Sequence, residues 1–169
     1  MDDAHNAMIS INTSLYHLKL ASLLIALFFV APSFGCSLSR FAVFEDPLTS
    51  EEHLTLGLSY EKKGEFDSAI SQYKAACIDL PLAYLYLGNA YFNKNEFDAA
   101  EKNYKKAIEK ITNPEAFNNL AWLYYVKKTN LEEAEHLSLK AMELNPSQKE
   151  TYCDTLNKIR ELKKTLNEK

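Results

Sequence analysis

The chain is poor in the residues on which many catalytic and disulfide-bonded folds depend. It has 4 glycines, 3 cysteines, 4 histidines and 1 tryptophan in 169 residues. So few glycines, scattered along the chain, do not form a phosphate-binding loop, and so few cysteines do not form a disulfide framework. The histidines are His5, His17, His53 and His136, and none has an acid or thiol at metal-ligand spacing. The sequence gives no support to catalysis, and we expect no enzyme activity, no cofactor and no metal site.

The charge pattern is also unlike that of a nucleic-acid-binding protein. The chain carries 19 Lys and Arg against 23 Asp and Glu, a formal net charge of −4. The densest lysines belong to one predicted helix and are Lys102, Lys105, Lys106 and Lys110. They alternate with Glu101 and Glu109, which is typical of a solvated helix face and not of a stripe that binds phosphates. We therefore expect no nucleic-acid partner.

Long apolar runs are absent except near the N-terminus. The segment Leu20–Ala31 has twelve uncharged residues, follows Lys19 and ends before Pro32. A membrane-spanning helix needs about 20 apolar residues, whereas a run of this length suits the core of a signal peptide. We expect residues 1–35 to be a signal peptide, with Met8 as a possible start. An uncleaved anchor is the alternative.

Cys36 stands at the end of that segment. Ser33-Phe34-Gly35-Cys36 resembles a bacterial lipobox, and the resemblance implies cleavage before Cys36 and a lipid on its thiol. It implies a protein of the bacterial cell envelope that faces the periplasm and is anchored in the outer membrane. Ser33 and Gly35 also fit an ordinary signal peptidase, which would give a soluble periplasmic protein. Residues 36–48 would form an extended tether.

The rest of the chain repeats itself. The segment Leu56-Gly57-Leu58-Ser59-Tyr60 recurs as Leu87-Gly88-Asn89-Ala90-Tyr91 and Leu120-Ala121-Trp122-Leu123-Tyr124. Each copy is followed by a pair of small residues seven apart, Ala69 and Ala76, Ala100 and Ala107, Ala134 and Ala141. A period of about 30 to 35 residues predicts a stacked array of helical hairpins rather than a closed catalytic domain. Such an array is typical of proteins that hold other proteins.

These residues resemble the tetratricopeptide repeat, with prolines near the repeat ends at Pro81, Pro114 and Pro146. The resemblance implies an all-α fold, an α-solenoid of three helical hairpins over residues 49–146. The hairpins would span about 50–80, 81–113 and 114–146, and residues 147–169 would form a capping helix. Polar residues on the outer face of a last helix fit this capping role.

Local signals place the helix ends. Thr49 and Glu52 form a capping-box pattern that predicts a helix start near Ser50. Ser147 and Glu150 repeat that pattern before the last helix.

Left-handed turn residues are predicted at equivalent places in the three copies, at Gly64, Asn95 and Asn130. We also expect Gly57, Gly88 and Ala121 to face Ala69, Ala100 and Ala134 where paired helices approach closely.

The resemblance also implies a binding surface on the concave wall of the first helices. Its candidate residues are Leu54, Leu58, Leu85, Asn89, Phe92, Asn118, Trp122 and Tyr125. The set is apolar and aromatic with two amides, and it lacks the basic residues with which some family members bind a terminal carboxylate. In the alternative interpretation, the capping helix or residues 41–48 cover this groove.

Two functions fit these observations. In the first, the chain is a non-enzymatic adaptor, tethered to the membrane through lipid, that binds a short apolar segment of an envelope protein. In the second, it is a structural protein of the envelope that forms a homodimer through the same faces.

Overall fold

The computed structural model describes residues 46–168, and this part of the chain contains helices and no β-strand. The helices are α1 Ser50–Lys62, α2 Phe66–Ala76, α3 Ala83–Asn93, α4 Phe97–Lys110, α5 Pro114–Lys127, α6 Leu131–Leu144 and α7 Lys149–Asn167, with a 3-10 turn at Pro146–Gln148. The predicted signal peptide, Cys36 and most of the tether lie outside the described residues. None of the helices in residues 46–168 has both the length and the apolar character needed to cross a membrane.

The helices pack in chain order as three hairpins followed by a single helix. The closest packing joins α1 to α2, α3 to α4 and α5 to α6, and the second helix of each hairpin also packs on the next element. This is the all-α solenoid with a capping helix that the repeat predicts.

Helix α1 begins as predicted. Thr49 Oγ1 accepts a hydrogen bond from the backbone N–H of Glu52 at 3.2 Å, and Glu52 Oε2 accepts one from the backbone N–H of Thr49 at 2.8 Å. The turns after α1 and α3 use the predicted left-handed residues, Gly64 with φ 77° and Asn95 with φ 61°. Glycine and asparagine tolerate this conformation better than other residues, so the sequence signal is a physical one.

The third turn differs from the prediction. Asn130 is left-handed with φ 48°, but it precedes α6 as its N-cap and does not end α5. Helix α5 ends at Lys127, and its C-cap Lys128 is itself left-handed with φ 53°. The third copy has one more residue than the others between Tyr124 and Ala134, and two left-handed residues accommodate it.

The predicted capping box before the last helix is wrong. Ser147 donates a hydrogen bond from its hydroxyl to Asn145 Oδ1 at 2.5 Å, so its side chain does not cap a helix. Residues 146–148 form the 3-10 turn, and α7 begins directly after it at Lys149 without a side-chain cap.

The close approach within each hairpin has a different partner from the one expected. The atoms nearest to a Cβ built on Gly57 belong to the Tyr73 ring, and those nearest to a Cβ on Gly88 belong to the Tyr104 ring, not to Ala69 or Ala100. The third copy has Ala121 at the glycine position and Ser138 at the tyrosine position, both fully buried. The smaller serine leaves room for the alanine Cβ.

Helix α7 closes the stack. Tyr152, Leu156 and Ile159 are buried, whereas Asn157 and Arg160 are exposed. This arrangement gives α7 one apolar face toward the array and one polar face toward solvent, as the capping role requires.

Charged groups also join α7 to α6. Glu135 of α6 accepts hydrogen bonds from Arg160 Nε at 2.7 Å and from Lys163 Nζ at 3.0 Å. Cys77 and Cys153 are both free thiols.

Candidate protein-binding cleft

The first helices of the hairpins make the inner wall of the array. Helix α3 packs directly on α5, and α5 packs directly on α7. No comparable packing joins α2 to α4 or α4 to α6 within residues 46–168. The side on which successive helices approach most closely is the concave side, so α3 and α5 line the inner surface of the described array.

A cleft with a volume of about 260 Å³ opens between these helices. Its lining comes from α1, α3, α4 and α5 and consists of Glu61, Asn89, Phe92, Asn93, Tyr104, Asn119 and Trp122. Four of these side chains are amides or a carboxylate, and three are aromatic. No residue of α7 lines the cleft, so the capping helix does not fill it.

A hydrogen-bonded pair of amides crosses from α3 to α5 in the cleft. Asn89 Oδ1 accepts from Tyr104 Oη and from Asn119 Nδ2, each at 2.9 Å. Burial, followed by the charge of Glu61, raises the pKa of Tyr104, which keeps its hydroxyl a donor. The Nδ2 of Asn89 and the Oδ1 of Asn119 have no hydrogen-bond partner among residues 46–168. One donor and one acceptor of the cleft are therefore without a hydrogen-bond partner in the described part of the chain.

Glu61 is the charged residue of the cleft lining. Its Oε2 accepts a hydrogen bond from Tyr73 Oη at 2.5 Å, and its Oε1 accepts one from Asn93 Nδ2 at 3.3 Å. Burial, followed by the hydrogen bond to Glu61, raises the pKa of Tyr73. The cleft thus has a negative group fixed in place and no Lys or Arg in its lining.

The aromatic rings of the cleft are supported from outside it. Trp122 stacks on Tyr125 with ring centroids 4.9 Å apart, and Lys158 Nζ of α7 lies 5.3 Å from the Trp122 ring centroid. Phe92 packs against Phe97 at 5.6 Å. Rings that are already held in position lose little side-chain freedom when a ligand binds.

The structure brings together only part of the predicted groove. Asn89, Phe92 and Trp122 line the cleft, and Tyr125 supports Trp122 from behind. Leu85 is wrong as a groove residue, because it is 1% exposed and belongs to the core.

Three other predicted residues lie away from the cleft. Leu54 is half-buried against the core cluster around Tyr73, and Leu58 is exposed outside the cleft lining. Asn118 Oδ1 is buried without a hydrogen-bond partner in the described part of the chain.

Sequence reasoning missed Glu61, Asn93, Tyr104 and Asn119. Asn93 follows Asn89 by four residues and Trp122 follows Asn119 by three, so each pair shares a helix face. This spacing is the sequence signal that places Asn93 and Asn119 on the same helix faces as Asn89 and Trp122. Tyr104 reaches the cleft from a second helix, and its repeat position indicated only a core residue.

Within the described residues, no cluster of His, Cys, Asp and Glu has the size needed to hold a metal ion.

Comparison with known proteins agrees with this architecture. The family model described as the tetratricopeptide repeat matches residues 81–110, and a second model of the same description matches residues 53–77 and 114–148. These segments make up more than half of the chain. The chain belongs to the tetratricopeptide repeat family. A sequence comparison with curated proteins gave no match.

Solved structures of other tetratricopeptide repeat proteins have the same fold. The first TPR of Spaghetti (RPAP3) bound to the HSP90 peptide SRMEEVD is 23% identical, with a TM-score of 0.62 over 74% of this chain and 98% of that chain. The type III secretion chaperone SycD of Yersinia enterocolitica, in complex with a peptide of the translocator YopD, is 22% identical, with a TM-score of 0.60 over 70% and 94%. MamA is 22% identical, with a TM-score of 0.55 over 73% and 84%. At these identities the similarity shows the fold alone. The tetratricopeptide repeat is a scaffold for protein interactions, and this chain is a module of that kind.

Proposed function

We propose that this tetratricopeptide repeat protein is an adaptor that holds a short extended segment of another envelope protein in its inner cleft. The observation that carries the proposal is the cleft itself, in which Phe92 and Trp122 lie beside the free amide groups of Asn89 and Asn119. The rings supply apolar surface, worth about 25 cal/mol per Å² buried, and the amides pair with a peptide backbone. Two of the similar structures hold peptides of partner proteins, which supports a peptide as the ligand.

The charge of the cleft defines the ligand further. Glu61 is the charged side chain of the lining, so an acidic segment such as SRMEEVD would meet a like charge. The ligand we propose has an apolar or aromatic anchor and no acidic residue beside it. The proposed ligand is apolar, as the sequence predicts, and the charge of Glu61 disfavours acidic ligands.

The proposal also includes a membrane tether through Cys36. Its support is the sequence pattern Ser33-Phe34-Gly35-Cys36 and the apolar run Leu20–Ala31. Several acyl chains on one cysteine hold a protein firmly to a bilayer, whereas one chain gives only marginal binding. The array would then present its cleft to neighbouring proteins of the same membrane.

Site-specific photocrosslinking in intact cells tests the adaptor proposal. A photoreactive amino acid replaces Asn93, which is exposed and lines the cleft, and a control carries it at Leu139, which is 43% exposed on α6 and lies outside the cleft. We expect a discrete crosslinked product from position 93 that Trp122→Ala abolishes and that position 139 does not give. Equal products from both positions, or products that persist with Trp122→Ala, would overturn the proposal. A crosslinked product that contains two copies of this chain would instead support the self-associating alternative.

A further inference from the structure

A second cleft lies on the outer side of the array, between the second helices of the first two hairpins, α2 and α4. Its volume is about 380 Å³, and helix α3 forms its floor with Tyr84 and Tyr91. Lys74 of α2 and Lys102 and Lys106 of α4 stand around it. We call it the outer cleft.

The lysines of the outer cleft are not neutralised. No Asp or Glu lines it. Within residues 46–168, no carboxylate lies within 4 Å of the ammonium groups of Lys74, Lys102 and Lys106. Most other lysines of residues 46–168 have such a partner, as Lys94 has in Asp67 and Lys127 has in Asp98. A concentration of unpaired positive charge is unusual in a chain whose net charge is −4.

The next groove along the array is the natural comparison. The positions of Lys74, Lys102 and Lys106 recur one repeat later as Lys105, His136 and Lys140. There both lysines are paired, Lys105 with Glu101 at 2.8 Å and Lys140 with Glu143 at 2.9 Å. Glu133 also stands where the outer cleft has Ala99. The unpaired charge is thus specific to one groove and is not a general property of the repeat.

Aromatic rings hold two of these lysines over the cleft. Lys106 Nζ lies 5.1 Å from the centroid of the Tyr84 ring, and Lys74 Nζ lies 5.8 Å from that of Tyr91. Contacts of this kind restrict the ammonium groups without neutralising them. Burial raises the pKa of the Cys77 thiol at the edge of the cleft to about 11, so this thiol supplies no negative charge near neutral pH.

We propose that the outer cleft binds an acidic peptide segment of a partner protein, with Asp or Glu carboxylates at the three lysines and an apolar or aromatic side chain on the tyrosines. The positive charge of the lysines is complementary to carboxylates. A narrow cleft with a floor of aromatic rings between two helices can enclose a peptide segment, whereas the flat surface of a lipid bilayer would not enter it. This site is independent of the inner cleft, whose lining carries Glu61 and disfavours acidic ligands. The two clefts would select segments of opposite character.

A binding assay with defined peptides tests this proposal. The probe is a fluorescein-labelled peptide Glu-Glu-Tyr-Glu-Glu with an amidated C-terminus, and the control peptide replaces each Glu by Gln. The protein carries Lys74→Gln, Lys102→Gln and Lys106→Gln together. The matched control carries Lys62→Gln, Lys128→Gln and Lys149→Gln, three lysines without an ion pair in the described residues and outside the outer cleft, so that both variants lose the same charge.

We expect the Glu peptide to bind and the Gln peptide not to bind. The outer-cleft variant should weaken binding by about tenfold or more at about 0.15 M salt, and the matched control by less than about threefold, because only nearby charges act strongly through the ionic atmosphere. Trp122→Ala should leave this binding unchanged, which separates it from the function of the inner cleft. An equal loss in both lysine variants, or no binding of the Glu peptide, would overturn the proposal. Binding of inorganic phosphate or of vesicles with anionic lipid in place of the peptide, with the same dependence on the outer-cleft lysines, would also overturn it.

Discussion

Gly88 and Tyr104 lie so close that a Cβ atom on Gly88 would be 2.5 Å from both Cδ1 and Cε1 of the tyrosine ring. Tyr104 is 2% exposed, and its hydroxyl donates to Asn89 in the inner cleft. The glycine therefore sets both the spacing of α3 and α4 and the position of a ring that holds a cleft amide. Packing of the repeat and geometry of the site depend on the same contact.

The first prediction concerns this contact. In an ordinary helix interior, Gly→Ala stabilises by about 0.5–1 kcal/mol. We expect Gly88→Ala to destabilise instead, by about 1–3 kcal/mol, because the buried ring must move. Urea unfolding followed by circular dichroism measures the free energy of unfolding.

A double-mutant cycle supplies the control for this prediction. In a Tyr104→Leu background, the same Gly88→Ala change should cost less, because the ring that it would strike is absent. A neutral or stabilising Gly88→Ala in the parent chain would show that the helices are not in contact as described.

The second prediction concerns the turn after α1. Gly64 has φ 77°, and a Cβ there would meet no atom within 4 Å. Any cost of substitution is therefore conformational and not steric crowding. We expect Gly64→Ala to destabilise by about 1 kcal/mol and Gly64→Asn by clearly less, because asparagine tolerates this conformation and Asn95 already occupies it in the next repeat. Thermal unfolding of the two variants side by side decides the matter, and equal losses would contradict the account.

The third prediction is a dependence of stability on pH. The hydrogen bonds from Arg160 and Lys163 lower the pKa of Glu135. A carboxyl whose pKa is lower in the folded state contributes stability above its unfolded pKa and loses it as the pH falls through the folded value. The free energy of unfolding should therefore fall as the pH is lowered from about 5 to about 3.

Glu135→Gln should make that fall shallower, while Glu143→Gln, which removes the same charge from α6, should have a smaller effect on it. Glu101 adds to the effect in the same direction. Burial tends to raise the pKa of Glu101, but hydrogen bonds from Lys105, Lys127 and Tyr124 lower it on balance. A free energy of unfolding that rises as the pH is lowered from about 5 to about 3 would contradict the lowered pKa values of Glu135 and Glu101.

The fourth prediction concerns export. We expect cleavage between Gly35 and Cys36 and acyl chains on Cys36. Cys36→Ala, where it is still processed, should release the protein into the periplasm. Intact mass of the purified protein distinguishes the cases. A product that retains residues 8–35 would rule out cleavage, and an unmodified Cys36 terminus would favour the soluble alternative.

Much of the fold follows from the sequence because its signals are local. The capping box at Thr49 and the left-handed Gly64 and Asn95 each depend on a few neighbouring residues. The left-handed C-cap of α5 at Lys128 does not follow from the sequence, because lysine has no preference for the left-handed region and the extra residue of the third copy allows more than one turn conformation. The capping pattern at Ser147 failed because the hydroxyl bonds to Asn145 instead.

The cleft was harder to predict than the fold because it depends on helix rotation. Neighbouring residues on a helix point about 100° apart, so an error of one position changes the face. Asn118 and Asn119 show this, since only Asn119 lines the cleft. The sequence places Leu85 on the groove surface, but the register of α3 turns it into the core. Tyr104 and Glu61 enter the cleft from other helices, and only tertiary packing brings them there.

The fluorescence emission and quenching of Trp122 test the central claim that the inner cleft holds a partner segment. Trp122 is the only tryptophan of the chain, so its fluorescence reports on the cleft alone. In the free protein we expect the ring to be accessible to a soluble quencher. Titration with the partner segment identified by crosslinking at position 93 should shift the emission to shorter wavelength and protect the ring, and Trp122→Ala should weaken binding by more than about tenfold with little change in helical content. A ring that is already protected in the free protein, or binding that leaves the Trp122 emission and its quenching unchanged, would contradict the account.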